Sequence, residues 1–171
     1  GPVHIEDFAQ VFGVWPDDKY KRASARNIAA VIGVEAGDEA AAEFVRRLVF
    51  NTLMGNGDMH LKNWSLIYPD RRTAALAPAY DFVSTIPYIP DEFAAIKYAR
   101  TKRMRELSLD ELRYLAAKAR LPEKLVVDAA TETVARFRDE WPEAKKALPV
   151  ARPVADAIDA HLKDLALTSE T

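Results

Sequence analysis

Apolar residues recur at helical spacing over most of the chain. Ile5, Phe8, Val11 and Phe12 follow an i, i+3, i+4 pattern that predicts a short first helix, stopped by Gly13. Val14 to Tyr20 reads as a loop, because Pro16, Asp17 and Asp18 form turns readily. Residues 24 to 32 predict a second helix ending at Gly33. A longer helix follows, capped by Asp38 and running to about Met54, with acids near its start and Arg46 and Arg47 in its middle. Phe44, Leu48 and Thr52 share one face, and Val45, Val49 and Leu53 widen it, so this helix is expected at the centre of the core.

The pattern breaks at Gly55-Asn56-Gly57-Asp58, where two Gly and an Asn favour turns. Trp64 to Tyr68 predicts a short strand. Pro69 to Arg72 turns it, and Thr73 to Leu76 returns as the second strand of a hairpin. Pro78 and Pro87 keep the next stretch irregular. Ser108 and Glu111 have the spacing of a capping box, which opens a helix to about Arg120. Pro122 suits the first turn of the next helix, expected to end near Trp141-Pro142, and a last helix covers about Pro153 to Leu167. The fold class is therefore mainly α with one small β-hairpin behind a Gly-rich loop.

A chain of 171 residues fits a single domain spanning 1–171. That length buries about 70% of its unfolded surface without disulfides or structural metal. A net charge of −2 gives no global basic field of the kind that binds nucleic acid. Cysteine is absent, which excludes a disulfide scaffold, a thiolate zinc site and a cysteine nucleophile, and fits a cytoplasmic location. No apolar run approaches the roughly 18 residues of a membrane helix. The opening, Gly1-Pro2-Val3-His4, lacks the features of a signal peptide and an initiator Met. Gly1-Pro2 reads as a tag remnant, and the chain as a piece of something longer.

Polar residues cluster around the hairpin. Asn56-Gly57-Asp58-Met59-His60-Leu61-Lys62-Asn63 precedes it, and Ala77-Pro78-Ala79-Tyr80-Asp81-Phe82 follows. A hairpin brings its ends together, so Asn63 and Asp81 are expected to be neighbours across 18 residues of sequence. Magnesium takes hard oxygen ligands, usually one or two carboxylates completed by phosphate and water. An Asn oxygen and an Asp carboxylate on adjoining loops meet that need, and a further carboxylate can accept the proton of an attacking hydroxyl. In protein kinases the catalytic-loop Asp precedes a metal-binding Asn by five residues, the spacing of Asp58 and Asn63 here. Taken singly, each Asp or Asn is most simply a turn residue. Their combination carries the functional reading.

The strings Gly55-Asn56-Gly57-Asp58-Met59-His60-Leu61-Lys62-Asn63-Trp64-Ser65 and Leu76-Ala77-Pro78-Ala79-Tyr80-Asp81 resemble the HipA toxin kinase family, with its GN-x-D-x-H-x-KN-x-S loop and LAPxYD segment. Glu6-Asp7-Phe8-Ala9-Gln10, Gly13 and Lys19-Tyr20 resemble the element that opens that family's C-terminal half. The resemblance covers most of residues 3 to 110 and weakens along the generic C-terminal helices. It implies a protein-kinase-like C-terminal lobe of a serine/threonine protein kinase that uses ATP and Mg2+, usually the toxin of a bacterial toxin–antitoxin pair. Its implied partners are a DNA-binding antitoxin, the only link to nucleic acid, and a protein substrate, an aminoacyl-tRNA synthetase in well-known members. Asp58 is then the catalytic base, and Asn63 and Asp81 are the magnesium and nucleotide ligands. His60 and Lys62 match the motif as further catalytic candidates. Lys62 is open to two roles, phosphate contact or pairing with a carboxylate to hold the loop.

No G-x-G-x-x-G segment is present among the six Gly, nor a run of strands before the helices. The N-terminal lobe is therefore expected to be missing, and the chain alone to be inactive, with an uncovered apolar face beside the cleft. Two other readings are a catalytically silent helical module that docks a partner, and a metal-dependent hydrolase using Asp58, His60 and Asp81. With three His in all, two of them at the chain ends, a His-rich binuclear site is disfavoured. Tyr80 and Trp64 read as packing residues. Lys97, Arg100, Lys102, Arg103 and Arg105 form a basic run, best read as surface with arginine stems on apolar neighbours. A phosphate, nucleic-acid or partner patch is the alternative.

Overall fold

A computed structural model describes residues 2–13, 24–89 and 93–171. The loop expected from Val14 to Tyr20, with the Lys19-Tyr20 part of the motif, lies outside the described residues. The chain starts not as a helix but as a strand, β1 (His4–Asp7), followed by one short helix, α1 (Phe8–Val11). Asp7 caps α1 by accepting from Gln10 N at 2.9 Å, while the Gln10 side chain accepts from Asp7 N at 3.0 Å. The helical spacing from Ile5 was misleading because Ile5 pairs with Ile67 in a sheet. That sheet is antiparallel, in the order β1-β2-β3, with β2 at Ser65–Tyr68 and β3 at Ala75–Leu76. The expected hairpin is thus present, and β1 adds a third strand to it.

Helix α3 (Asp38–Leu53) is the central element. Phe44, Val45, Leu48, Val49, Thr52 and Leu53 are all fully buried, so both stripes read from the sequence face the core. It packs mainly against α5 (Glu123–Ala147) and α2 (Ala25–Ala36), and α4 (Leu109–Ala119) closes on α2 and α5. Tyr98, wholly buried, places its hydroxyl 2.7 Å from Thr52 Oγ1, so the polar member of the α3 stripe is satisfied.

Several boundaries differ from the sequence reading, each for a packing reason. Helix α2 does not end at Gly33 but continues to Ala36. A Cβ at position 33 would come within 2.8 Å of Leu121 Cδ2, so the glycine there serves close packing rather than termination. The capping box at Ser108 is half formed. Ser108 Oγ accepts from Glu111 N at 3.1 Å, but the Glu111 carboxylate is buried and accepts from Ala99 N, Arg100 N and Arg100 Nε at 3.0, 2.6 and 2.8 Å. Helix α5 runs through Pro142 to Ala147. Proline removes one backbone donor there, and outside contacts hold the last turns. Trp141 stacks on Phe137 at 5.7 Å, and Asp159 accepts from Trp141 Nε1 and Lys145 Nζ at 2.7 and 2.6 Å. The ammonium of Lys145 and the indole N–H together hold the Asp159 carboxyl below its usual range. The last expected helix is broken at Leu165 into α6 (Arg152–Asp164) and α7 (Ala166–Glu170).

The basic run is largely occupied internally. Arg100 pairs with Glu111 and Asp110, each at 2.8 Å, and lies over the Tyr114 ring. Arg103 lies over Phe93. This supports the surface reading over a dedicated anion patch.

On α6, His161 Nε2 lies 2.7 Å from the Thr52 carbonyl at the end of α3. Desolvation lowers the imidazole pKa, against opposing contributions from the Thr52 carbonyl and Asp164. Between the ordinary histidine value and this lowered one, the unfolded chain binds the extra proton and the folded chain does not. Stability from this group is therefore complete above about pH 6.5 and falls as pH drops, by at most about 1.4 kcal/mol per unit. Urea denaturation at pH 7.5 and 5.5 should show a larger loss in the wild type than in His161→Gln. Equal losses would remove His161 as the source.

Candidate functional site

The site is built around the turn that ends α3. Gly55 has φ of 69°, a conformation that favours glycine, and a Cβ there would lie within 2.4 Å of Ile86 Cδ1. Its carbonyl accepts from Thr85 N and Ile86 N at 3.1 and 3.3 Å. Thr85 Oγ1 in turn accepts from Gly57 N at 2.8 Å. The 84–86 segment is thus fastened to the loop carrying Asp58.

Asn56, almost wholly buried, is the hub. Its Nδ2 donates to Asn51 Oδ1 at 2.7 Å and to the Asp81 carbonyl at 3.3 Å, while its Oδ1 accepts from Asp58 N at 3.0 Å. One carboxamide therefore joins helix α3, the backbone of Asp58 and the backbone of Asp81. Asn51 is buried in the last turn of α3, where its Nδ2 donates to Arg47 O at 2.9 Å. The sequence reading took Asn56 as a turn and motif residue and did not single out Asn51. The available signal was a pair of amides bordering an otherwise apolar helix face, which must find partners when buried.

His60 caps the short 3₁₀ turn Leu61–Asn63, with its Nδ1 accepting from Lys62 N at 3.2 Å. This contact shapes the turn that presents Asn63. The Lys62 side chain is exposed, and its carbonyl accepts from Tyr80 Oη at 2.5 Å. Asp58 is exposed at the loop surface.

Asn63 and Asp81 meet as the hairpin requires. Asn63 Nδ2 donates to Asp81 Oδ2 at 3.3 Å. Asn63 Oδ1 is buried and has no hydrogen-bond partner. A buried acceptor oxygen without a donor carries a cost unless something electropositive satisfies it. An amide oxygen and a carboxylate are both hard oxygens of the kind magnesium takes, and here the amide nitrogen is the atom of Asn63 that faces Asp81. No cluster of three or more His, Cys, Asp or Glu able to hold a metal occurs among the described residues. A fully protein-built cage is therefore not what the oxygen pair resembles; one carboxylate and one amide leave most positions to phosphate and water. Asp81 itself has φ of 59°, a left-handed conformation uncommon outside glycine though tolerated by Asp.

The crevice lined by Arg47, Asn51, Asn56, Asn63, Tyr80 and Asp81 measures about 10 Å³, enough for one water. Small-molecule sites usually need about 300–1,000 Å³. A larger open groove of about 850 Å³ adjoins it, walled by α3, α5 and the 79–88 segment. Tyr80, Val83, Tyr88 and Ile89 are exposed nearby, which gives this side of the domain an apolar character. Trp64 is buried edge-on against Phe44, as a packing residue should be, but Tyr80 is a hydrogen-bonding bridge rather than a packing residue.

Known proteins share this architecture. The chain is 63% identical over 171 residues to "Putative kinase Y4dM" of Sinorhizobium fredii, covering 99% of this chain and 42% of the relative. It is 30% identical over 162 residues to "Putative kinase Y4mE" of the same organism, covering 81% of this chain and 36% of that one. A "Putative kinase" of Haemophilus influenzae is 45% identical over 97 residues, covering 51% of this chain and 28% of that protein. The chain thus spans about two fifths or less of the length of these curated relatives. Among solved structures, the Shewanella oneidensis HipA toxin–antitoxin complex with HipB and operator DNA matches with a TM-score of 0.75 at 22% identity, over 95% of this chain and 42% of that one. That likeness shows the fold. Residues 2–141 match the HipA-like C-terminal domain, and the chain belongs to that family.

Proposed function

We propose that this chain is the catalytic lobe of an ATP- and magnesium-dependent serine/threonine protein kinase. The observation that carries the reading is the contact between Asn63, five residues after Asp58, and the Asp81 carboxylate, together with an Asn63 amide oxygen that is buried without a hydrogen-bond partner. Asn63 Oδ1 and the Asp81 carboxylate would hold the metal, and Asp58 would accept the proton of the acceptor hydroxyl. When bound, magnesium neutralises phosphate charge and aligns the nucleotide. His60 shapes the turn behind Asn63, and the exposed Lys62 side chain would contact phosphate. The names of the relatives support a kinase. A toxin role with an antitoxin partner fits the toxin–antitoxin neighbour that shares the fold, and a protein substrate such as an aminoacyl-tRNA synthetase is what the family resemblance implies. A cytoplasmic site of action fits this role; no helix among the described residues is long and apolar enough to cross a membrane.

The narrow crevice and the apolar residues beside it favour a site completed by a second lobe, fused or separate. Two measurements test this. The full-length protein should transfer labelled γ-phosphate from ATP to a protein hydroxyl with magnesium present and not with it withheld. Residues 1–171 alone should give no micromolar magnesium–ATP binding by calorimetry. Tight binding by the isolated chain would refute the two-lobe reading, and absence of transfer by the full-length protein would refute the kinase reading.

A further inference from the structure

The residue before Asp81 makes a contact with a register of its own. Tyr80 Oη donates to the Lys62 carbonyl at 2.5 Å and lies 2.8 Å from Ser65 Oγ. Because the phenol proton is committed to the carbonyl, Ser65 is the donor of the second bond. Ser65 is a firm anchor: it is buried, it opens the central strand β2, and its carbonyl accepts from Ala77 N at 2.9 Å. Lys62 and Tyr80 immediately precede Asn63 and Asp81. One hydroxyl therefore ties together the two backbones that carry the oxygen pair.

Asp81 benefits from such a restraint because its backbone is left-handed, a conformation uncommon outside glycine. Its carbonyl is held by Asn56, and the next residue, Phe82, packs edge-on against Phe50 at 5.6 Å. Tyr80 supplies the restraint on the N-terminal side. The direct Asn63–Asp81 bond, at 3.3 Å, is long and exposed.

We propose that the Tyr80 hydroxyl is a latch that fixes the spacing of Asn63 and Asp81, making Tyr80 a positioning residue for metal–nucleotide binding. This rests on the kinase reading above and adds to it how the site is kept in shape. Tyr80→Phe keeps the ring and deletes only the latch. Ser65→Ala leaves the Tyr80–Lys62 bond and deletes the anchor.

The test uses the full-length protein, a non-hydrolysable ATP analogue and Mn2+ in place of magnesium, with free Mn2+ followed by electron paramagnetic resonance. Tyr80→Phe should weaken Mn2+ affinity roughly 3–10-fold, the equivalent of one lost hydrogen bond. Ser65→Ala should weaken it less. Saturating Mn2+ should restore wild-type analogue binding, and the urea midpoint should stay near that of the wild type. Unchanged Mn2+ affinity in Tyr80→Phe, with a large loss in Asp81→Ala, overturns the latch and leaves the kinase reading standing. A loss in Tyr80→Phe that merely follows the unfolded fraction also overturns it. If Asp81→Ala too leaves Mn2+ affinity unchanged, the metal reading fails and the latch with it.

Discussion

Replacing Asp58 with Ala in the full-length protein should lower phosphoryl transfer by roughly 10²–10⁴-fold, the usual contribution of a positioned general base. Nucleotide affinity should change little, because the nucleotide is assigned to Asn63 and Asp81. The bond from the Asp58 backbone N–H to Asn56 Oδ1, which any residue supplies, keeps the polar hub in the variant. The informative comparison is therefore single-turnover rate against analogue affinity and urea midpoint. Asp58→Asn is the sharper variant, since it keeps size and polarity and removes the capacity to take a proton. Near-normal turnover in Asp58→Asn would remove the base role, and a matching fall in stability would reassign Asp58 to the fold.

Much of this site was legible because its signals are local. The Asp58–Asn63 spacing and a hairpin that returns the chain to Asp81 are both written in short stretches. The 3.3 Å contact between Asn63 and Asp81 follows from that topology. The burial of α3 was equally legible, because six apolar or β-branched positions repeat at helical spacing within one helix. What escaped notice depends on partners distant in sequence. Ile5 reads as helical until Ile67 pairs with it, 62 residues later. Glu111 has the spacing of a capping box, but the backbone N–H groups of residues 99 and 100 offer its carboxylate a better set of donors. Gly33 reads as a stop signal until Leu121 is seen against it. Asn56 reads as a turn residue, and only burial beside Asn51 and Asp81 reveals it as the hub.

Gly55→Ala should cost the isolated domain roughly 2–4 kcal/mol and loosen the loop that carries Asp58. Two effects add. A non-glycine residue at φ of 69° has about 1 kcal/mol or more of backbone strain. The new methyl would also stand 2.4, 2.6 and 2.9 Å from three carbons of Ile86, and forcing a packed side chain aside typically costs about 1–3 kcal/mol. The Ile86 backbone cannot retreat freely, because its own N–H and that of Thr85 are bonded to the Gly55 carbonyl. The strain is therefore passed to the 84–86 segment and to the Thr85 bond on Gly57. The double variant Gly55→Ala/Ile86→Ala separates the two effects. It should be more stable than the sum of the single variants, because the clash is gone while the backbone strain remains. Urea denaturation of all four proteins, with unchanged dependence on denaturant, measures the coupling. Simple additivity would show that Ile86 is not what makes glycine necessary at position 55.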